Sequence, residues 1–363
     1  MNILQVNLVL ILFYALFFLC IKSKTTRIIF LIFTTIQFAI LPGFRGVTVG
    51  VDTWRYERSF NWLKEINNFN DFLLYDSDFG FKLVQRIILF FTDNFNYMLI
   101  VFSLFIFISL GIFIYRYSKS IFLSYILFIC LGFFDHSFNL QRQIIALSIV
   151  LFSYSFILKK KPKHFFMVVL CASLFHSSAI VFLPAYYFAH MKWKKHTVIL
   201  IPSIFMLFFI FKNQIGEIFT ILYYDEATKM LNSYTSTSGL GGMALLILII
   251  LIIGFVIYNP LRHNDIENKV LFNLLVISFF IQTISSFSYL FTRLNLFYFI
   301  FIILYIPNVI YNLDKSKVNI KRRYLKVAQF TAKSAVAIIV ITYYLTQIKI
   351  DGADIIPYYF FWE

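Results

Sequence analysis

Long apolar runs separated by short polar clusters set the pattern of the chain. Runs at 3–21, 97–115, 241–258, 270–290, 294–312 and 327–346 reach the length of about 20 residues that a membrane-spanning helix needs. Shorter runs at 28–43, 121–134, 143–158 and 197–212 read the same way. The runs are continuously apolar, whereas a transmembrane β-barrel shows strict alternation in segments of about ten residues. The predicted fold is all-α: one polytopic integral membrane domain over 1–363, with about ten full transmembrane helices plus a short helical hairpin.

The polar clusters predict the orientation. Basic groups at 22–27, 116–119, 159–163, 192–195, 262–269 and 315–326 belong on the cytoplasmic side. No basic residue precedes the first apolar run, and Lys22, Lys24 and Arg27 follow it. It therefore reads as an uncleaved anchor with its N-terminus outside. The run 165–189 is flanked by cytoplasmic signals on both sides. A single helix of that length, about 37 Å, would cross once, and two short helices would enter and return. His176-Ser177-Ser178 near its middle and Pro184 after it favour the broken form, which is tolerated at depth only where it is buried in protein or lines a cavity. Two long segments then fall outside, 44–96 and 213–240, with both termini. Within the first, Phe79–Phe91 carries Lys82 and Arg86 among apolar residues and is predicted to be an interfacial amphipathic helix. No internal repeat is evident, which argues against transporter folds built from duplicated halves.

Composition narrows the class further. The chain is 60% hydrophobic and 13% charged, far from the balance of soluble or disordered proteins. Its net charge of +15 would suit nucleic acid, but the basic residues sit between apolar runs, as topology requires. No nucleic-acid partner is expected. Cys20, Cys130 and Cys171 lie in apolar runs, so neither a disulfide framework nor a thiolate metal site is expected. Asp76-Ser77-Asp78 has an Asp-x-Asp spacing that is too short a match to argue for metal. There is no phosphate-cradling glycine loop and no serine nucleophile elbow. No metal and no cofactor are expected.

Ionisable residues at membrane depth are costly and read as functional by default. Three stand out: Arg142, His176 and Arg293. Each has a plain alternative. The arginines can snorkel to lipid phosphates, the histidine can sit neutral on a backbone carbonyl, and Asp52-Thr53 can be a helix N-cap. The functional reading is a polar site at the outer membrane face. Guanidinium groups there would make paired bonds to an anionic head group, and a carboxylate or imidazole would act as base toward a hydroxyl.

Four strings carry a family resemblance: Arg45-Gly-Val-Thr-Val-Gly-Val-Asp52-Thr53-Trp-Arg-Tyr56, Asp78-Phe-Gly80-Phe81, Asn139-Leu-Gln-Arg142-Gln143-Ile-Ile-Ala146 and Phe175-His176-Ser177-Ser178. In order and spacing, from residue 40 to about 190, they resemble the EpsG-like family, which contains Wzy-type O-antigen and capsule repeat-unit polymerases and related exopolysaccharide proteins. Beyond 190 only Arg293 and the hydropathy are similar. The resemblance implies a glycosyltransferase in the bacterial cytoplasmic (inner) membrane, acting at the periplasmic face on undecaprenyl-pyrophosphate-linked oligosaccharide. It implies Arg45, Arg142 and Arg293 on the pyrophosphate and Asp52 or His176 as base. Asn139, Gln143, Tyr56 and Asp78 would meet sugar hydroxyls or position the substrate. Such proteins usually work with a polysaccharide chain-length regulator. Two other classes remain open: a flippase for the same lipid-linked oligosaccharide, and a membrane acyltransferase acting on surface sugars. A flippase needs its charge in a mid-membrane cavity, and here the conspicuous charge lies in 44–96. The Arg45 and Asp52 loop motif argues against the acyltransferase.

Overall fold

The computed structural model describes residues 2–19, 23–66, 68–75, 77–193, 242–257, 265–285, 289–315, 322–350 and 354–363, with isolated positions between 203 and 214. The loop 213–240 apart from residue 214, most of the run 197–212, Asp76 and Lys194 lie outside the described residues. The regular elements among the described residues are all helical. The chain forms two compact units, residues 1–180 with 330–363 and residues 181–329.

The first unit begins with α1 (Ile3–Leu19) and α2 (Lys24–Gly43). Ser23 starts α2 by accepting a hydrogen bond from Thr25 N, as N-cap serines do. Three short helices fill the first loop: α3 (Thr53–Glu65), α4 (Phe69–Leu74) and α5 (Phe79–Phe91). Then come α6 (Phe95–Tyr117), α7 (Ile121–Cys130), α8 (Phe133–Asn139), α9 (Gln141–Leu158) and α10 (Pro162–Ser173). Helix α2 packs along α6, and α9 packs between α6 and α10. Phe38 is the centre of the core, with the rings of Phe107, Tyr125, Phe128 and Phe134 within 4.9–6.1 Å. Buried polar groups tie helix to helix. Thr35 Oγ1 meets Tyr125 Oη at 2.8 Å, Ser103 Oγ donates to Ala39 O at 2.7 Å, and Gln37 Nε2 donates to Asn7 O at 2.7 Å, the kind of bond that holds helices together without a hydrophobic driving force. The outward surface is apolar, with Phe13, Phe17, Phe33, Ile36, Phe330 and Ile338 exposed, which suits contact with lipid tails.

In the second unit, α11 (Ala185–Ala189) is followed by α12 (Gly242–Ile257), α13 (Ile266–Ile284), α14 (Tyr289–Phe299) and α15 (Ile302–Tyr311). Asp265 caps α13 with bonds from Glu267 N and Asn268 N. Asn273 on α13 holds the end of α11 by donating to Ala189 O and Met191 O, each at 3.0 Å. Phe182 stacks on Phe301 and leans on Tyr298, whose hydroxyl donates to Val181 O at 2.8 Å. The last helix, α16 (Arg322–Ile350), leads from this unit back into the first.

Five helices among the described residues are long and apolar enough to cross a membrane, or seven if each bent pair is one span. The bent pairs are α7 with α8, at 53°, and α14 with α15, at 40°. Between α7 and α8 the chain turns at Gly132, whose φ of +84° is left-handed and favours glycine. The described residues thus stop short of the expected ten spans. The runs 3–21 and 241–258 form α1 and α12, of 17 and 16 residues, which reach only about 24–26 Å, less than a hydrocarbon core of about 30 Å. The tenth run is 197–212. The run 165–189 does break as expected. It becomes α10, a turn through His176, a 3₁₀ segment over Ser177–Phe182, and α11. The orientation has a direct test. In a cysteine-free background, Arg58→Cys is expected to react with a membrane-impermeant thiol reagent in intact spheroplasts, and Lys161→Cys and Lys194→Cys are not. Labelling of Lys194→Cys alone among the two lysine positions would mean that 165–189 crosses once.

Candidate functional site

The site is built on the N-terminus of α5. Asp78 occupies the N-cap position there, yet its side chain makes no capping bond, although aspartate usually caps its own helix. Its carboxylate is used across the fold instead. Asp78 Oδ2 lies 3.0 Å from Arg142 Nη1 and 3.3 Å from His176 Nδ1. Arg142 donates to this oxygen, and His176 meets it through Nδ1. Asp78 and His176 are mostly buried, and the Arg142 side chain is 37% exposed. Arg142 comes from the first turn of α9, and His176 from the turn after α10.

That turn exists because a foreign donor replaces a helical one. Gly80 N donates to Leu174 O at 2.6 Å. Had α10 continued, Leu174 O would have accepted from the amide four residues on. The close approach requires glycine. A Cβ at residue 80 would lie 3.0 Å from Leu174 O and from the Phe175 ring. Gly80→Ala is therefore expected to destabilise the first unit by about 1–3 kcal/mol, the range for overpacking, read as a lower thermal-unfolding midpoint in detergent. An unchanged midpoint would show that the contact does not hold α5 to the turn.

Lys82 and Phe81 fix the direction of α5. Lys82 is buried and donates to Leu73 O at 3.0 Å and Tyr75 O at 2.9 Å, with its ammonium over the Phe72 ring. These are carbonyls at the end of α4, which a cation suits. Phe81 stacks on Phe102 and leans on Tyr56. The opposite face of α5 exposes Phe79, Leu83, Ile87 and Phe90.

The other expected residues are placed differently. Arg45 is buried, and its donors are taken up inside the protein by Thr53 Oγ1, Pro42 O and Phe138 O. Burial lowers its pKa to about 10, against the opposing effect of Tyr56 and Tyr358, so the guanidinium stays charged at neutral pH. Arg45 thus braces the first loop against the end of α8. Asn139 and Tyr56 serve the same joint. Asn139 Oδ1 accepts from Val51 N at 2.7 Å, and Tyr56 Oη donates to Asn139 O at 3.2 Å. Gln143 is buried on α9. Asp52, at the start of α3, pairs with Arg55 at 3.2 Å, its side chain 25% exposed, and makes no capping bond. Arg293 lies on α14 in the second unit.

A family model described as the EpsG family matches residues 27–360. The chain belongs to the EpsG family. This EpsG-family chain is accordingly a multi-pass membrane protein of polysaccharide biosynthesis, in a family associated with glycosyltransferase-like polymerase activity. No curated protein and no solved structure matches it.

Two features of the EpsG-family chain escaped the sequence reading. Asp135 on α8 accepts a 3.0 Å bond from Tyr344 Oη on α16. It is an acid one turn before Asn139, and its place at the end of an apolar run was the available signal. The C-terminal residues also dock on the first loop. Gly46 N donates to Tyr359 O at 2.8 Å, Phe361 N to Phe44 O at 3.0 Å, Gly50 N to Asp354 O at 2.8 Å, and Tyr358 Oη to Leu41 O at 2.8 Å. Burial raises the Tyr358 hydroxyl well above its ordinary pKa, so it remains a donor. No sequence pattern announces such a tail. Among the described residues, no group of three or more His, Cys, Asp or Glu side chains is arranged to hold a metal ion.

Proposed function

We propose that the protein polymerises oligosaccharide repeat units carried on undecaprenyl pyrophosphate, at the periplasmic face of the bacterial inner membrane, for O-antigen, capsule or exopolysaccharide. The observation that carries this reading is one carboxylate oxygen, Asp78 Oδ2, shared between His176 and Arg142. A base and an anion binder meet there, and transfer from a pyrophosphate to a hydroxyl needs both.

With Nδ1–H donated to Asp78, Nε2 of His176 is the basic lone pair. The acceptor hydroxyl oxygen attacks the anomeric carbon of the donor glycan. Its proton passes to Nε2, and the bond from that carbon to the pyrophosphate oxygen breaks. Asp78 stabilises the imidazolium that forms. Arg142 receives the charge that develops on the leaving pyrophosphate through its remaining N–H groups. Arg45 adds positive potential from within the loop. Asn139 and Tyr56 hold the loop to the end of α8, and Gln143, one residue after Arg142, is assigned to a sugar hydroxyl. His176 takes the role of base over Asp52, whose carboxylate pairs with Arg55 at the surface. Pyrophosphate is already a leaving group, so the scheme calls for no nucleotide.

The test uses purified protein in detergent, where a flippase has no second compartment to serve. Incubation with synthetic undecaprenyl-pyrophosphate repeat unit is expected to yield a ladder of longer lipid-linked glycans. Folded protein that leaves the cognate unit unextended would overturn the reading.

A further inference from the structure

A cavity of about 620 Å³ opens where α3, the junction of α5 with α6, and the C-terminal residues meet. Asp78, Arg142 and His176 do not line it. Helix α3 contributes Glu57 and Asn61, the junction Asp93 and Asn96, and the C-terminal segment Tyr359 and Glu363. Glu57 and Asn61 are four residues apart and share one helical face. Another face of the same helix carries Tyr56, bonded to Asn139 O, and Ser59, bonded to Gln85 Oε1 at 3.4 Å. Helix α3 therefore lines the cavity and also packs on α5, which begins after Asp78.

The lining selects a class of ligand. The volume falls within the range of small-molecule sites, about 300–1,000 Å³, and far exceeds that of an ion. Its three carboxylates, Glu57, Asp93 and Glu363, belong to no group arranged to hold a metal among the described residues. No basic side chain lines it among those residues, so pyrophosphate and acidic sugars meet only like charge there. Carboxylates accept from hydroxyls, and the amides of Asn61 and Asn96 both donate and accept, which is the complement of a polyol. Tyr359 and Phe361 add rings that are 48% and 36% exposed, flat apolar faces suited to the C–H face of a sugar ring.

We propose that this cavity binds an uncharged sugar unit of the lipid-linked glycan, remote from its pyrophosphate; the identity of that glycan rests on the polymerase reading above. It would hold the sugar chain while Arg142 holds the charged end, so that a substrate is recognised at both extremities.

The experiment applies labelled full-length protein in detergent to an array of neutral, amino and carboxylated tri- to pentasaccharides. Neutral members are expected to be retained. Asn61→Trp, at an exposed position that fills the cavity, is expected to weaken retention by about tenfold or more, equivalent to about 1.4 kcal/mol. Glu57→Gln, which keeps the shape and removes one charge-assisted acceptor, should weaken it less. Both variants are compared at matched unfolding midpoints. Retention of no sugar, retention of charged sugars only, or equal retention by wild type and both variants would each overturn the proposal. Glycan extension by a protein that retains no array sugar removes this site and leaves the polymerase reading standing. Array binding by a protein that never extends its lipid-linked unit does the reverse.

Discussion

His176→Gln is expected to slow single-turnover transfer by about 10²–10⁴-fold, the usual cost of removing a general base, while lipid-linked substrate still binds. Asp78→Asn should fall in the same range for a different reason. An amide at residue 78 offers its own N–H to Nδ1 and so moves the imidazole proton to Nε2, the atom that must accept. Asp52→Asn is expected to stay within a few-fold of wild type, because the Asp52 carboxylate is paired with Arg55. A ranking in which Asp52→Asn is the more damaging would return the role of base to the first loop.

The second large effect is at Arg142. Arg142→Lys keeps the charge and loses the planar fork that pairs with phosphate oxygens. Loss of one charge-assisted contact costs about 1.5–3 kcal/mol, or roughly 10- to 150-fold in affinity for the lipid-linked substrate. The measurement is substrate binding and polymer length at matched protein level. Full-length polymer from Arg142→Lys would favour a snorkelling arginine on lipid phosphate.

What could be read from the chain was what local pattern encodes. The spans that became α2, α6, α9, α13 and α16 are long apolar runs, and length alone identifies them. The break at His176 was legible because basic residues flank both ends of 165–189. The bends at Gly132 and near Ile300 were not, since an apolar run looks alike straight or bent. The meeting of Asp78 with Arg142 and His176 was not legible: they lie 64 and 98 residues away, and sequence carries no distance between such positions. Guanidinium suits phosphate oxygens and carbonyl oxygens alike, and residue type does not say that the fold brings the carbonyls of Pro42 and Phe138 to Arg45. Asp135 pairs with Tyr344, from a helix 209 residues later, a partnership that no local pattern shows.

The claim that Asp78 and His176 act as one unit is tested most directly by a double-mutant cycle on single-turnover transfer. The Asp78→Asn, His176→Gln double variant is expected to be no slower than the slower single variant, because residues that act together lose their function once. Losses that multiply, with both single variants folded and substrate bound, would contradict the account and separate the carboxylate from the imidazole.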